Sequence, residues 1–427
     1  MTLNARIMVG LAVGTLGGVL VAAAGGAAGD GGRWVAEYVA DPAGQIWLRL
    51  LLMVVVPLVF ATLVLGIAGL GDVHRLGRMG GRTLGLFLAT TLLAALLGLA
   101  VVNVLAPGDG LSDDLRTQLL DTFADRTAST VEAAGADLGV STFVNLVPSN
   151  PLAAAVNGDL IAFIVFTLVF GVALTRVPAA YARPMLDVLD AVARTTMVMI
   201  GFAMWLAPIG VACFAYSVTA RLGLEILAPI ATYFIAVLVG LIIYQFGVLG
   251  LFVRVFAGIR PRTFFSRSRL PMLTAFSTAS SAATLPTTIR TAEEELGVPR
   301  EVSGFVLPLG ATLHMNGTAF FMSITIVFLA QAFGVTLGAG TQMMIAGMTV
   351  LTAVSAAGIP SGSIPLMVVI LISVGVPGEA IGLIFGVEPL LGMARTSTNV
   401  TGDLFAAATI ARMEGGVARP PGEESAA

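Results

Sequence analysis

Six long apolar runs dictate what this chain can become. They cover residues 7–24, 46–70, 83–106, 161–174, 197–220 and 226–253, and several reach the roughly 20 residues that a helix needs to cross a ~30 Å hydrocarbon core. Within lipid the backbone has to satisfy its own hydrogen bonds, so such runs fold as helices. Composition agrees: 57% of the 427 residues are hydrophobic and 11% charged, against about 25% charged in soluble domains. The expected fold is an all-α polytopic membrane protein. Only Arg6 precedes the first run and no small-residue cleavage site follows it, so it is read as a retained span and not as a signal peptide. The single cysteine, Cys213, excludes an intrachain disulfide.

Charge placement orients the spans. Every basic residue is arginine; Arg75, Arg78 and Arg82 follow the second run, Arg176 and Arg183 the fourth, and Arg254, Arg260, Arg262, Arg267 and Arg269 the sixth. Arginines beside spans mark the cytoplasmic side, and the connections after the first and third runs are mostly acidic. Both termini are then cytoplasmic, in the cell (inner or plasma) membrane. Residues 107–142 read as an acidic external loop without metal-ligand spacing.

Beyond Phe256 the texture changes. Residues 262–300 hold two apolar arms too short to cross, parted by STASSAATLP (277–286), and residues 341–377 repeat the arrangement around SAAGIPSGSIP (355–365). Each reads as a re-entrant helical hairpin whose tip is tolerated at membrane depth only where it is buried in protein or lines a wet cavity. A helix follows each. In the first, HMNGT (314–318) invites local unwinding that frees carbonyls for a cation. The second reads GVEPLLGMARTSTNVTGDLFAAATIAR, and its steps from Glu388 to Arg395, Asn399 and Asp403, past Gly392, lie on one helical stripe. An ionisable group at bilayer depth costs at least ~2.5–3.5 kcal/mol, so this stripe faces a protein interior or a wet cavity, and a substrate or ion pathway is the expected reason. The expectation is eight transmembrane helices plus two hairpins, arranged as inverted repeats around a midplane site. No catalytic constellation is apparent: His314 and Asp403 come with no recognisable serine or cysteine nucleophile, and enzyme activity is not expected. A channel or a ligand-sensing receptor is the competing class.

The stretches LPLGATLHMNGTA, STASSAATLPTTIR and ARTSTNVTGDL resemble the glutamate transporter homologues, also called dicarboxylate/amino acid:cation symporters, and the likeness covers nearly the whole chain. The resemblance implies an elevator-type homotrimer. Residues 1–256 would be mainly scaffold and trimerisation region, with the third span contributing to the moving part; residues 257–414 would be the transport core, and 415–427 a disordered cytoplasmic tail. It also implies roles. Arg395 matches the clamp on a side-chain carboxylate, supported by Thr318. Asn399, Ser280 and Ser281 match positions around the other carboxylate, with Ile359, Gly362 and Ser363 closing over the ligand. For cations, Asp403 and Asn399 with backbone at 309–313 match one sodium site. Backbone near Thr312 and at 353–356, beside Met315, matches a second. Thr90 and Thr91, with the residues at His314 and Asn316, match a third. No resident cofactor is implied; the implied partners are a small anionic substrate, Na+ or H+, and the bilayer, with no role for nucleic acid.

Three departures from the family pattern bear on function. Its motif usually reads N-M-D-G-T, so His314 and Asn316 leave the third site without an anionic ligand; His314 is either a proton acceptor or a neutral, hydrogen-bonded imidazole. Where amino-acid-transporting relatives place an aspartate for the substrate ammonium, this chain has Gly392. The arginine that accompanies that aspartate is absent too, its two customary positions being Ala279 and Met393. The substrate expected is a C4-dicarboxylate such as succinate, fumarate or malate, coupled to Na+; an acidic amino acid and H+ coupling are the alternatives. Glu388 is read as structural.

Overall fold

A computed structural model describes residues 3–24, 26–68, 73–112, 114, 116–117, 119, 144, 147–156, 160–355 and 363–415. Among them there is no strand.

The first helix, α1 (Leu3–Ala24), is apolar throughout. It is followed by α2 (Gly26–Val35), a π-helical turn (Ala36–Ala40), α3 (Asp41–Leu52), α4 (Val55–Ala68) and α5 (Val73–Leu105). Beyond the acidic connection come α6 (Pro151–Val156), α7 (Leu160–Leu174) and the 44-residue α8 (Ala179–Leu222). Asn150 opens α6 as an N-cap, its Oδ1 accepting from the Leu152 and Ala153 N–H groups at 3.0 and 3.1 Å. The fifth apolar run marks only part of α8, whose charged first turns extend it well ahead of residue 197. A small-residue stripe joins α1 to α8: a Cβ at Gly10 or Gly14 would fall 2.2 Å from the carbonyl oxygen of Pro208 or Ala212. Such stripes let helix backbones meet in lipid.

The sixth run becomes α9 (Leu227–Ile242), a π-helical turn (Ile243–Val248), α10 (Leu249–Phe252) and a second π turn (Val253–Ala257), continuous as one helical rod. Two paired units follow. In the first, α11 (Pro261–Thr278) and α12 (Ser281–Glu294) are parted by only Ala279 and Ser280, with Ala279 left-handed at φ 50°. The next helix breaks where HMNGT stands: α13 (Arg300–Leu313) stops, His314 and Met315 are non-helical, and α14 (Asn316–Ala332) begins. In the second unit α15 (Ala339–Ser355) and α16 (Ile364–Ser373) flank residues 356–362, and a 3-10 turn (Gly378–Ile384) leads to α17 (Glu388–Met413).

Six helical stretches among the described residues are long and apolar enough to cross a membrane, and the fourth run is a shorter apolar helix, Ala162–Leu174. Their burial differs sharply. The apolar window of Ala5–Ala24 is 17% buried, whereas that of Arg300–Ala332 is 100% buried. The interior is therefore built on α13, α14 and α17, while Leu16, Leu20, Phe202 and Trp205 on α1 and α8 stay exposed, as suits an apolar surround. A helix as polar as α17 is affordable only in that central place.

Candidate functional site

The polar stripe of α17 is wholly internal: Glu388, Arg395, Asn399 and Asp403 are each at most 4% exposed. Each meets a different neighbour. Arg395 donates from Nη1 to Ser363 Oγ at 2.6 Å, reaches Glu388 Oε1 from Nη2 at 3.4 Å, and lies 4.9 Å from the centre of the Phe321 ring. Glu388 and Arg395 are seven residues apart, two turns on one face. Gly392 stands between them; a Cβ there would meet Glu388 Oε1 at 3.5 Å and Arg395 Nη2 at 3.7 Å, which is ordinary contact.

These three residues line a narrow hollow of about 20 Å³ whose other walls are apolar and include Trp47, Met204, Ala279 and Phe385. Glu388 thus sits beside Arg395. Its place on the stripe was legible; its reach to Arg395 was not, because a spacing of seven gives a shared face without a side-chain direction.

Asn399 repairs the break in the preceding helix. Its Oδ1 accepts from the N–H groups of Gly317 and Thr318 at 2.7 and 3.2 Å, which begin α14 and lack an intrahelical backbone partner. Its amide donates to Thr318 Oγ1 at 3.1 Å and approaches the Met315 sulfur at 3.2 Å. Close approach demands glycine here, since a Cβ at Gly317 would fall 2.6 Å from the Arg395 carbonyl oxygen. Asn399, Thr318 and Met315 therefore form one cluster, a turn along α17 from Arg395.

One turn further, Asp403 Oδ1 lies 3.0 Å from His314 Nδ1, and His314 Nε2 lies 2.8 Å from Thr90 Oγ1 on α5. The imidazole is fully buried and stacks on Phe87, ring centres 4.3 Å apart. Protons can be counted along this chain. If Thr90 gives its hydroxyl hydrogen to the Leu86 carbonyl, 2.7 Å away, both ring nitrogens are satisfied only when the His314–Asp403 pair holds an extra proton; if Thr90 donates to Nε2, a neutral ring suffices. Among the described residues no three carboxylate, imidazole or thiol groups cluster; Asp403 and His314 are the titratable pair here.

The remaining predicted residues divide. Asn316 is buried, its Oδ1 accepting from Gly317 N–H at 2.8 Å. Ser280 caps α12, its Oγ accepting from Ala283 N–H at 3.2 Å. Among the described residues Thr91 Oγ1 and Ser281 Oγ are buried with no hydrogen-bond partner. Thr312 is exposed and donates its hydroxyl to the Leu309 carbonyl at 2.9 Å. Ile359 and Gly362 lie outside the described residues.

Gln245 belongs to this group and was missed. From the π turn of the sixth rod it donates to Thr401 Oγ1 at 3.1 Å and accepts from Thr398 Oγ1 at 3.0 Å. Its signal was a lone amide within an apolar run.

Gly310 offers a test of the Asp403 position, because a Cβ there would come within 2.6 Å of Oδ1. Gly310→Ala is expected to push the carboxylate off His314, lower stability by ~1–3 kcal/mol and raise the cation concentration for half-maximal uptake. Thermal melts with cation titrations of uptake check both, and an unaltered cation response means that Asp403 acts from another place.

Comparison with known proteins now bears on this geometry. Residues 3–413 match the profile described as Sodium:dicarboxylate symporter family. The chain is 32% identical over 318 residues to a proton/glutamate-aspartate symporter of Escherichia coli (strain K12), covering 74% of this chain and 72% of that one. It is 30% identical over 341 residues to a proton/sodium-glutamate symport protein of Bacillus caldotenax, covering 80% and 77%. A C4-dicarboxylate transport protein of Bacillus subtilis (strain 168) is 31% identical over 306 residues, covering 71% and 70%. With its buried polar helix, broken neighbour and membrane-spanning rods, this integral membrane protein belongs to the sodium:dicarboxylate symporter family.

Proposed function

We propose that the protein is a cation-coupled symporter of a C4-dicarboxylate that lacks an α-ammonium group. Relatives carry names of both kinds, acidic amino acid and C4-dicarboxylate, so the choice rests on the lining of the hollow. Gly392 and Ala279 stand there in place of the charged residues that amino-acid-transporting relatives are expected to use. Among the described residues that line this space, the one carboxylate an ammonium meets is Glu388, engaged by Arg395. Arg395 clamps one substrate carboxylate through its planar fork, with Thr318 beside it. Asn399, Ser280, the unpartnered Ser281 hydroxyl and the second unit around Ile359, Gly362 and Ser363 hold the other.

For coupling, Asp403 and Asn399 bind one Na+ with backbone of residues 309–313, and a second lies near Thr312, Met315 and residues 353–356. The imidazole of His314 stands between Thr90 and Asp403 and engages the Thr90 hydroxyl, which supports a third site at Thr90, Thr91 and Asn316 that binds Na+ weakly or not at all. The same chain of hydrogen bonds favours a second reading, in which a proton on the His314–Asp403 pair replaces that third cation.

The elevator, the homotrimer and the cytoplasmic termini belong to this proposal. Packing of the sixth rod on α17 through Gln245 supports counting residues 227–257, read from sequence as scaffold, with the moving part, together with the third span, the two hairpins and the broken and polar helices. Purified protein in liposomes tests the reading: an inward Na+ gradient at fixed pH should concentrate succinate, with aspartate a poor competitor. Aspartate binding equal to or tighter than succinate overturns the substrate class, and uptake driven by a pH step without Na+ selects the proton reading.

A further inference from the structure

Between Glu225 and Glu293 the chain carries six arginines and no acidic residue. Five of them fall within residues 254–269, where the sixth rod ends at Ala257, turns through the left-handed Gly258 (φ 74°) and enters α11 at Pro261. Arg254, Arg260, Arg262 and Arg269 are exposed, and among the described residues their side chains have no hydrogen-bond or ion-pair partner. Acids at this end have partners of their own: Glu293 pairs with Arg300, Glu294 with Arg290 and Glu414 with Arg82. The fifth arginine, Arg267, donates to the Glu295 carbonyl at 2.6 Å. Arg412 reaches the same turn from α17, donating to the Val255 and Phe256 carbonyls at 3.3 and 3.2 Å. α11 opens there without a side-chain cap, so its positive end adds to the cluster.

The apolar surroundings say which anion fits. On the sixth rod Leu251 and Val255, 60% and 56% exposed, flank Arg254. On α11 residues 262, 266, 269, 273 and 276, alternately four and three apart, lie on one helical stripe. All five are exposed, and the stripe passes from Arg262 and Arg269 to Leu273 and Phe276. Both elements therefore run from bare apolar side chains to bare arginines as they approach one turn. Hydrocarbon followed by a charged layer is the order of a bilayer leaflet, and arginines at helix ends extend to that layer. A soluble phosphate would use the arginines and leave the apolar side chains in water, whereas a phospholipid covers both.

We infer that the junction of the sixth rod with α11 binds an anionic phospholipid, with Arg254, Arg260 and Arg262 on the headgroup phosphate and the exposed apolar stretches against the acyl chains. A guanidinium suits that phosphate because its planar fork donates two parallel bonds. The headgroup then ties the end of the rod and the root of the first hairpin to one depth in the leaflet. The inference stands on this surface alone, apart from the substrate and cation reading.

The test is phosphatidylglycerol binding to the detergent-purified full chain, read as bound lipid by native mass spectrometry, with phosphatidylcholine of the same acyl chains as reference. Each basic residue near an anionic leaflet contributes about fivefold. Wild type should therefore prefer phosphatidylglycerol by more than about tenfold, and the triple variant Arg254→Gln, Arg260→Gln, Arg262→Gln should lose about a hundredfold in that affinity while binding phosphatidylcholine as before. Arg194→Gln, which breaks an exposed ion pair on α8, should change neither. Equal wild-type affinity for the two lipids overturns the inference, as does undiminished phosphatidylglycerol affinity in the triple variant. Displacement of the lipid by millimolar inorganic phosphate shows that the arginines take phosphate alone and overturns it as well. Phosphatidylglycerol binding that appears only after deletion of residues 416–427, which carry Glu423 and Glu424, assigns the arginines to the chain's own tail instead. The wild-type comparison of the two lipids decides even if the triple variant fails to fold.

Discussion

Succinate uptake is expected to fall to background in Arg395→Ala. The guanidinium is 4% exposed and anchored by Ser363 Oγ at 2.6 Å and by the Phe321 ring, so it is held in place before any ligand arrives. A hydrogen bond to a charged group contributes ~1.5–3 kcal/mol, and a bidentate clamp supplies two, so affinity should drop more than about a hundredfold. The same change strands Glu388, and a buried ion robbed of its partner destabilises a fold by ~3–5 kcal/mol. Binding and stability separate in the double variant Arg395→Ala with Glu388→Gln, which should regain its thermal midpoint without regaining uptake. Arg395→Lys keeps the charge but not the fork, and an intermediate loss is expected. Wild-type uptake by Arg395→Ala would remove the clamp from the mechanism.

Gly392→Asp should move selectivity toward aspartate. The site admits a side chain, since a Cβ there makes only ordinary contacts at 3.5 and 3.7 Å with Glu388 and Arg395. A carboxylate on that Cβ faces the hollow and offers an ammonium a charged acceptor worth ~1.5–3 kcal/mol, or roughly 10–100-fold in the ratio of aspartate to succinate affinity. Succinate binding itself should weaken, because Arg395 would then have two internal carboxylates to leave. Paired competition assays in liposomes give the ratio directly. An unchanged ratio would show that position 392 does not meet the ligand.

Spacing alone located the stripe on α17, and the four side chains it named are all buried. The interruption at HMNGT was legible for a similar reason: Asn316 and Gly317 weaken a helix locally, and the chain leaves helical geometry two residues earlier, at His314 and Met315. What sequence did not disclose was partnership. Whether His314 turns toward Asp403 and Thr90 depends on α5 lying alongside, a tertiary fact with no local signature. The π turn at Ile243–Val248 is of the same kind, since an extra residue in a helical turn leaves the apolar pattern nearly unaltered. The Gly10 and Gly14 stripe is the opposite case: its four-residue spacing stood in the sequence, and only an emphasis on long apolar runs passed over it.

Asn399 has a further consequence. Its single amide joins the start of α14 to α17 midway between the arginine proposed for substrate and the aspartate proposed for a cation. It has few orientations that keep the Gly317 and Thr318 N–H groups satisfied. On the proposed reading, an ion that fixes the amide spares the substrate that ordering, and the substrate does the same for the ion. Such a debt is symmetric by thermodynamic necessity: whatever factor the cation adds to substrate affinity, the substrate returns to the cation. Cooperativity between two different passengers would then reside in the freedom of one side chain.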